Sequence, residues 1–159
     1  MLENTPVTKE GAAALEKEFA QLRDVERARI TEAIAVARAH GDLKENADYH
    51  AAKEQQGLNE ARIREIQSTL LIMQIIDINQ LEQNGRCVFG TTVTLINIAN
   101  KKQSRYKIVG KDEADINLNK ISCYSPIAKA LMGKEEGEEV TVIAPSGNIK
   151  YIISKVEYL

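Results

Sequence analysis

The chain contains no tryptophan, and two phenylalanines with five tyrosines bring aromatics to only 4% of its 159 residues. Cores must therefore be built from Ile, Leu, Val and Ala, and they are modest in size. Cysteine is equally sparse. Cys87 and Cys123 stand alone, with no C-x-x-C pair and no clustered histidines, so reduced, buried thiols are expected rather than a zinc site or a disulfide. No apolar run approaches 18 residues, and no charged-then-apolar leader opens the chain. Neither a membrane span nor a signal peptide is read, and a cytoplasmic monomer is expected. No sign of charge dominates either: the formal net charge is −2. Residues 1–77 carry 10 basic and 14 acidic side chains, and residues 78–159 carry 11 and 9. Neither half has the concentrated basic face on which duplex nucleic-acid binding rests, so targeting has to come from a protein partner.

Proline is missing from Val7 to Ser125, and between Thr8 and Ala39 the only glycine is Gly11. That stretch reads as one uninterrupted helix with Thr8 as its N-cap and Met1 to Pro6 as a loose arm. Leu15, Phe19 and Leu22 form one apolar stripe, and Ile63, Ile66, Leu70 and Met73 repeat it downstream in a second helix that fades by Ile76-Asp77. Two such stripes joined by a short polar turn bury each other by folding back antiparallel, as in a helical hairpin or intramolecular coiled coil. Residues 9–39 at ~1.5 Å per residue make a rod of roughly 45 Å, longer than packing within a small domain requires. Toward its end Ala33, Ala35, Ala37 and Ala39 face Ala47, Ala51 and Ala52, which predicts a slender tip.

The tip is acidic, and it admits two readings. Gly41 closes the first helix, and Asp42-Leu43-Lys44-Glu45 has the D-x-x-E spacing of a capping box for the second. Alternatively, Asp42 and Glu45 present their carboxylates on one side of the turn and grip a hard cation such as Mg²⁺, which commonly takes one or two carboxylates and keeps several waters. The neighbouring side chains are similarly double. Tyr49 either stacks on a single-stranded base or packs on the hairpin. Arg23, Arg27 and Arg29 are either an ordinary solvated face, interleaved with Asp24 and Glu26, or a small patch guiding RNA.

After a polar stretch from Asn79 to Gly85 the period changes, which places a domain boundary near residue 79 and divides the chain into 1–78 and 79–159. Residues 91–98, 105–109, 140–144 and 149–156 are short β-rich runs between turn residues. With one helix starting at Pro126, they predict a twisted, mostly antiparallel sheet packed on that helix, hence an α+β chain.

The run from Gly41 to Gln56, Gly-Asp-Leu-Lys-Glu-Asn-Ala-Asp-Tyr-His-Ala-Ala-Lys-Glu-Gln-Gln, resembles the signature of the Gre transcript-cleavage factors of bacterial RNA polymerase. The likeness continues at Asn84-Gly85-Arg86, at Ile108-Val109-Gly110 with Asp112-Glu113-Ala114-Asp115, at Ile121-Ser122 with Ser125-Pro126-Ile127-Ala128, and at Lys155-Val156-Glu157-Tyr158-Leu159. It implies an N-terminal hairpin that enters the polymerase secondary channel and a C-terminal FKBP-like domain that docks on the channel rim. It also implies that Asp42 and Glu45 act in trans, helping the polymerase hold a shared Mg²⁺ while the polymerase cleaves the 3′ end of backtracked RNA. The chain is then not an enzyme by itself. Ser122, Ser125 and Pro126 fall in the segment that resembles the polymerase-contacting loop, while Tyr49, Arg23, Arg27 and Arg29 are the candidates to meet nascent RNA. An FKBP-like domain raises prolyl isomerisation as a rival, but the scattered Phe89, Tyr106, Tyr124, Tyr151 and Tyr158 do not promise the aromatic-lined pocket that chemistry needs.

Overall fold

The computed structural model describes residues 4–159. Contacts divide the chain into two compact units: Ala12–Met73 belongs to the first, and Asn4–Gly11 with Gln74–Leu159 to the second.

The first unit is a pair of antiparallel helical arms. The opening arm consists of α1 (Lys9–Ala20), a π-helical stretch at Gln21–Glu26, and α2 (Arg27–Arg38); the returning arm is the single helix α3 (Ala47–Ile72). Thr8 caps α1 as expected, its Oγ1 accepting the Gly11 N–H at 3.0 Å. The predicted uninterrupted helix is thus broken in phase, though not in continuity, by the π turn. There the Leu22 carbonyl accepts the Arg27 N–H and also the side-chain amide of buried Asn59 from α3, at 3.3 Å. A π turn holds one more residue than an α turn, and here its exposed carbonyl becomes a cross-helix acceptor.

On the opening arm the core lies nearer the tip than the predicted stripe, while on the returning arm Ile63 and Ile66 of the predicted stripe belong to it. Leu15, Phe19 and Leu22 are only half-buried, whereas Ile30, Ile34 and Ala37 of α2 and Ala52, Ile63 and Ile66 of α3 are buried. Alanine lining is also less extensive than expected, because Ala35, Ala39, Ala47 and Ala51 stay exposed and the two isoleucines of α2 supply the packing volume. Two bidentate ion pairs bridge the arms: Arg27 to Glu60 at 2.8 and 2.9 Å, and Arg62 to Glu18 at 2.8 and 3.0 Å.

Three expectations fail around the root of the hairpin. The helix α3 stops at Ile72, and Met73–Ile76 forms a strand, β2, paired with β1 (Thr5–Thr8). Consecutive β-branched residues favour the extended form once a partner strand is present. Residues 5 and 6 of the supposed loose arm are therefore ordered, while Met1 to Glu3 lie outside the described residues. Finally, the residues 4–11 assigned to the hairpin half pack with the second unit, where Val7 and Thr8 are each only 5% exposed.

The second unit is organised on a five-stranded sheet in the order β5-β4-β3-β7-β6, formed by β3 (Thr92–Asn97), β4 (Gln103–Val109), β5 (Lys120–Ser122), β6 (Glu139–Ala144) and β7 (Gly147–Glu157). All pairings are antiparallel except the edge pair of β4 with β5, which makes the sheet mixed rather than purely antiparallel. Central β3 carries Val93 and Leu95 into the core, where they meet Ile108, Val140 and Ile153. Helix α4 (Pro126–Leu131) closes that core with Ala128 and Leu131, both fully buried. Cys87 and Cys123 are buried free thiols, and burial pushes the Cys87 thiol up to about 11 and raises Cys123 as well. Among the described residues no helix is long and apolar enough to cross a membrane.

Candidate functional site

The tip is the eight-residue connection between α2 and α3, and its geometry rests on Asn46. Asn46 is the N-cap of α3, with Oδ1 accepting the Tyr49 N–H at 3.0 Å, and its Nδ2 donates to the Ala37 carbonyl of α2 at 2.6 Å. One side chain therefore starts the returning helix and fastens it to the end of the outgoing one. The capping box expected at Asp42-Leu43-Lys44-Glu45 does not form, because α3 begins at Ala47 and the first-turn N–H group is already taken by Asn46. Gly41 closes the first arm with φ at +125°, a backbone conformation that side-chain-bearing residues rarely adopt.

Asp42 and Glu45 are consequently free of capping duty. Asp42 Oδ1 accepts the Lys44 N–H at 3.0 Å, which fixes the orientation of that carboxylate, and both acids are exposed. They line a cleft of about 400 Å³ together with His40, Asn46, Ala47 and Asp48. His50 Nε2 sits 3.2 Å from the Lys44 carbonyl and so braces the far side of the same loop. Among the described residues no three His, Cys, Asp or Glu side chains converge to hold a metal ion. Two carboxylates are hard oxygen donors suited to Mg²⁺ but complete only part of its shell.

Tyr49 is half-buried against the Ile30, Ile34 and Ala52 cluster, with the Arg38 guanidinium over its ring at 5.8 Å and His50 edge-on at 5.6 Å. Each member of the basic group has an acidic neighbour. Arg23 bonds Asp24 at 2.8 Å, Arg27 bonds Glu60, and Arg29 bonds Glu26 at 2.8 Å. Hydrogen bonds from Arg62 likewise hold the Glu18 carboxyl below its ordinary value.

Ser122, Ser125 and Pro126 come together on the second unit at the junction of β5 and α4. Ser125 caps α4, its Oγ accepting the Ala128 N–H at 3.3 Å, while Ser122 Oγ accepts the Tyr124 N–H at 3.1 Å. Pro126 lines a shallow cleft of about 350 Å³ with Tyr124, Lys129, Ala130, Thr141 and Ile143, and both Tyr124 and Ile143 are exposed. Phe89 is buried in the core, with Tyr106, Tyr151 and Tyr158 packed against it, so these four rings do not surround an open pocket.

Asn46 is the structural residue that reading the sequence missed, although its signal is local: an Asn standing immediately before Ala-Asp-Tyr fits an N-cap as well as Asp42 does.

Comparison with known proteins supplies the family. A model described as transcription elongation factor, N-terminal, matches residues 5–75, and a model described as transcription elongation factor, GreA/GreB, C-term, matches residues 82–158. Transcription elongation factor GreA of Ruthia magnifica subsp. Calyptogena magnifica is 61% identical over 158 residues, covering 99% of this chain and 100% of that protein. The protein of the same name from Legionella pneumophila (strain Corby) is 57% identical and covers 97% of this chain and 96% of its own. Among solved structures, GreA factor homolog 1 of Thermus thermophilus covers 98% of this chain and 99% of its own, at 23% identity and a TM-score of 0.43. The chain belongs to the GreA/GreB family of transcription elongation factors.

Proposed function

We propose that this protein is a cytoplasmic elongation factor that enters the secondary channel of RNA polymerase and stimulates the polymerase's own cleavage of the 3′ end of backtracked RNA. The observation that carries this reading is the division of labour at the tip. Asn46 performs the capping, which leaves Asp42 and Glu45 exposed at the end of two long arms. Acids that do not cap the returning helix are available to another enzyme's active site.

Asp42 and Glu45 would hold a Mg²⁺ ion jointly with the polymerase, since two exposed carboxylates alone do not offset the cost of stripping a strongly hydrated cation. When bound, that ion lowers the pKa of a coordinated water and neutralises charge on the phosphate. The chain's own residues do the positioning: the Lys44 N–H orients Asp42, and Asn46 and His50 stiffen the loop around both acids. Preorganisation of this kind lowers the ordering cost at the moment of reaction. Ser122, Ser125 and Pro126 would dock on the channel rim beside the cleft that Pro126 lines. Tyr49, Arg23, Arg27 and Arg29 would face the extruded RNA, the arginines by exchanging their present carboxylate partners for phosphates.

Asp42→Asn and Glu45→Gln variants test the reading on a stalled, backtracked elongation complex. Each should lose roughly tenfold or more in cleavage rate, with competition for polymerase unchanged, because a ligand acting chiefly in the transition state is removed. Wild-type rates from both variants would refute it. Purified protein with Mg²⁺ should leave RNA intact when polymerase is absent.

A further inference from the structure

Glu113 does something that the tip chemistry leaves unexplained. It sits in the tight turn after β4, where the Glu113 N–H donates to the Gly110 carbonyl at 3.0 Å. Its carboxylate reaches back 105 residues along the sequence. Oε2 accepts the Thr8 N–H at 3.0 Å and the Gly110 N–H at 2.9 Å, while Oε1 accepts the Thr8 hydroxyl. That hydroxyl oxygen is also the cap of α1, through the Gly11 N–H. The clasp has been given its space by two glycines. A Cβ at Gly11 would fall 2.1 Å from Glu113 Oε1, and one at Gly110 would fall 2.8 Å from the Pro6 carbonyl and 2.9 Å from Glu113 Oε2. Every group involved lies within the second unit, which contains Asn4–Gly11. From Thr8 the chain runs on as helix, through α1, the π turn and α2, to the tip.

We propose that Glu113 is a positioning residue for cleavage stimulation: it clasps Thr8 and Gly110, and so anchors in the docking unit the root of the helical arm that leads to Asp42 and Glu45. This rests on the function proposed above. The physical reasoning is that a catalytic group delivered by a long lever loses rate when its root is loose, because fewer bound complexes hold the acids in reacting geometry. Docking is read separately through the half-saturating concentration, since the side-chain hydrogen bonds of Ser122 and Ser125 go to the Tyr124 and Ala128 N–H groups and not to the clasp. Three hydrogen bonds to one carboxylate, two of them from backbone N–H groups, are a strong anchor by the ordinary measure of charge-assisted bonds.

Three variants separate this role from general stability. Glu113→Ala removes the whole clasp. Gly11→Ala leaves every clasp residue present and favours helix, yet its methyl displaces the carboxylate end. Glu113→Gln is the conservative rescue, because an amide oxygen placed where Oε2 sits keeps both N–H bonds, and its NH₂ donates to the Thr8 hydroxyl oxygen in place of the reverse bond. Hydrogen exchange at the Thr8 amide should quicken by roughly tenfold or more in Glu113→Ala and Gly11→Ala. On a backtracked complex, the cleavage rate at saturating factor should fall about fivefold or more in both, with the half-saturating concentration held within about twofold, and Glu113→Gln should restore most of the rate. Unchanged exchange at Thr8 would overturn the clasp. Faster exchange with an undiminished saturating rate, or a loss confined to the half-saturating concentration, would overturn the positioning role. Should Glu113→Ala fail to fold by circular dichroism, Gly11→Ala and Glu113→Gln decide the matter. Wild-type protein that stimulates no cleavage would sink the proposed function and this inference together, whereas an active wild type with indifferent variants sinks only the inference.

Discussion

Replacing Asn46 by alanine removes two hydrogen bonds with different jobs, and their loss can be sized separately. The bond from the Tyr49 N–H to Asn46 Oδ1 is an N-cap, and the bond from Asn46 Nδ2 to the Ala37 carbonyl joins α3 to the end of α2. An N-cap is worth about 1 kcal/mol. The amide-to-carbonyl bond contributes about another 1 kcal/mol net, and its loss leaves no orphan, because the Ala37 carbonyl still accepts the His40 N–H at 3.1 Å. Together they amount to roughly 2 kcal/mol, or on the order of a thirtyfold increase in local opening of the tip. Hydrogen exchange followed residue by residue is the direct assay. The Tyr49 amide should exchange about thirtyfold faster in Asn46→Ala, while buried Ile66 on the same helix changes little. Asn46→Asp is a built-in control: it keeps the cap and suits the positive end of the helix dipole, but it can no longer donate to Ala37, so an intermediate value is expected. Unaltered exchange at Tyr49 in Asn46→Ala would refute the assignment. So would faster exchange there in Asp42→Ala or Glu45→Ala, since that would return the cap to the acids.

Three further outcomes are expected. The Glu18 carboxyl is held below its ordinary value by Arg62, so its contribution to stability is present at neutral pH and lost as pH falls through the lowered folded value. Both side chains are more than a third exposed, so the effect is screened to about 1 kcal/mol or less, and the melting difference between wild type and Arg62→Met should shrink on acidifying below about pH 4. With its thiol pushed up to about 11 and fully buried, Cys87 should resist a maleimide at neutral pH until denaturant is added, and rapid labelling of the folded protein would contradict its placement. Pro126→Glu, at an exposed first helical position, should leave the melting temperature within a few degrees yet weaken competition for polymerase; unchanged competition would move the docking face elsewhere.

Features decided by neighbours in sequence were legible without coordinates, and features decided by distant partners were not. Thr8 was readable as a cap because a hydroxyl three residues before an N–H needs nothing else, and the Ser125 cap rests on the same local spacing. The four longer strands of the second unit announced themselves through β-branched runs. Strands β1, β2 and β5 span only three or four residues, so pairing rather than propensity makes them. At the tip the D-x-x-E spacing pointed to Asp42, but the choice was made by Ala37, nine residues before Asn46 in sequence and beside it in space. The basic group was legible in part: Asp24 and Glu26, already beside it in sequence, pair with Arg23 and Arg29, whereas the carboxylate that engages Arg27 lies 33 residues away and, outside the group, the one that engages Arg62 lies 44 away. The acids Asp42 and Glu45 stood out early because of the run they belong to, while their freedom from capping is knowable only once α3 has a start.

The π turn at Gln21–Glu26 makes the opening arm unequal in its tolerance of length change. Deleting one residue within α2 turns every side chain on one flank by about 100° and aims the wrong face at α3. Deleting one residue inside the π turn instead lets it relax to an ordinary α turn, with both flanks keeping their facing residues. The local cost is the widened carbonyl of Leu22 that Asn59 now uses. A one-residue change in the length of this arm therefore has one place where it is absorbed without re-registering the tip.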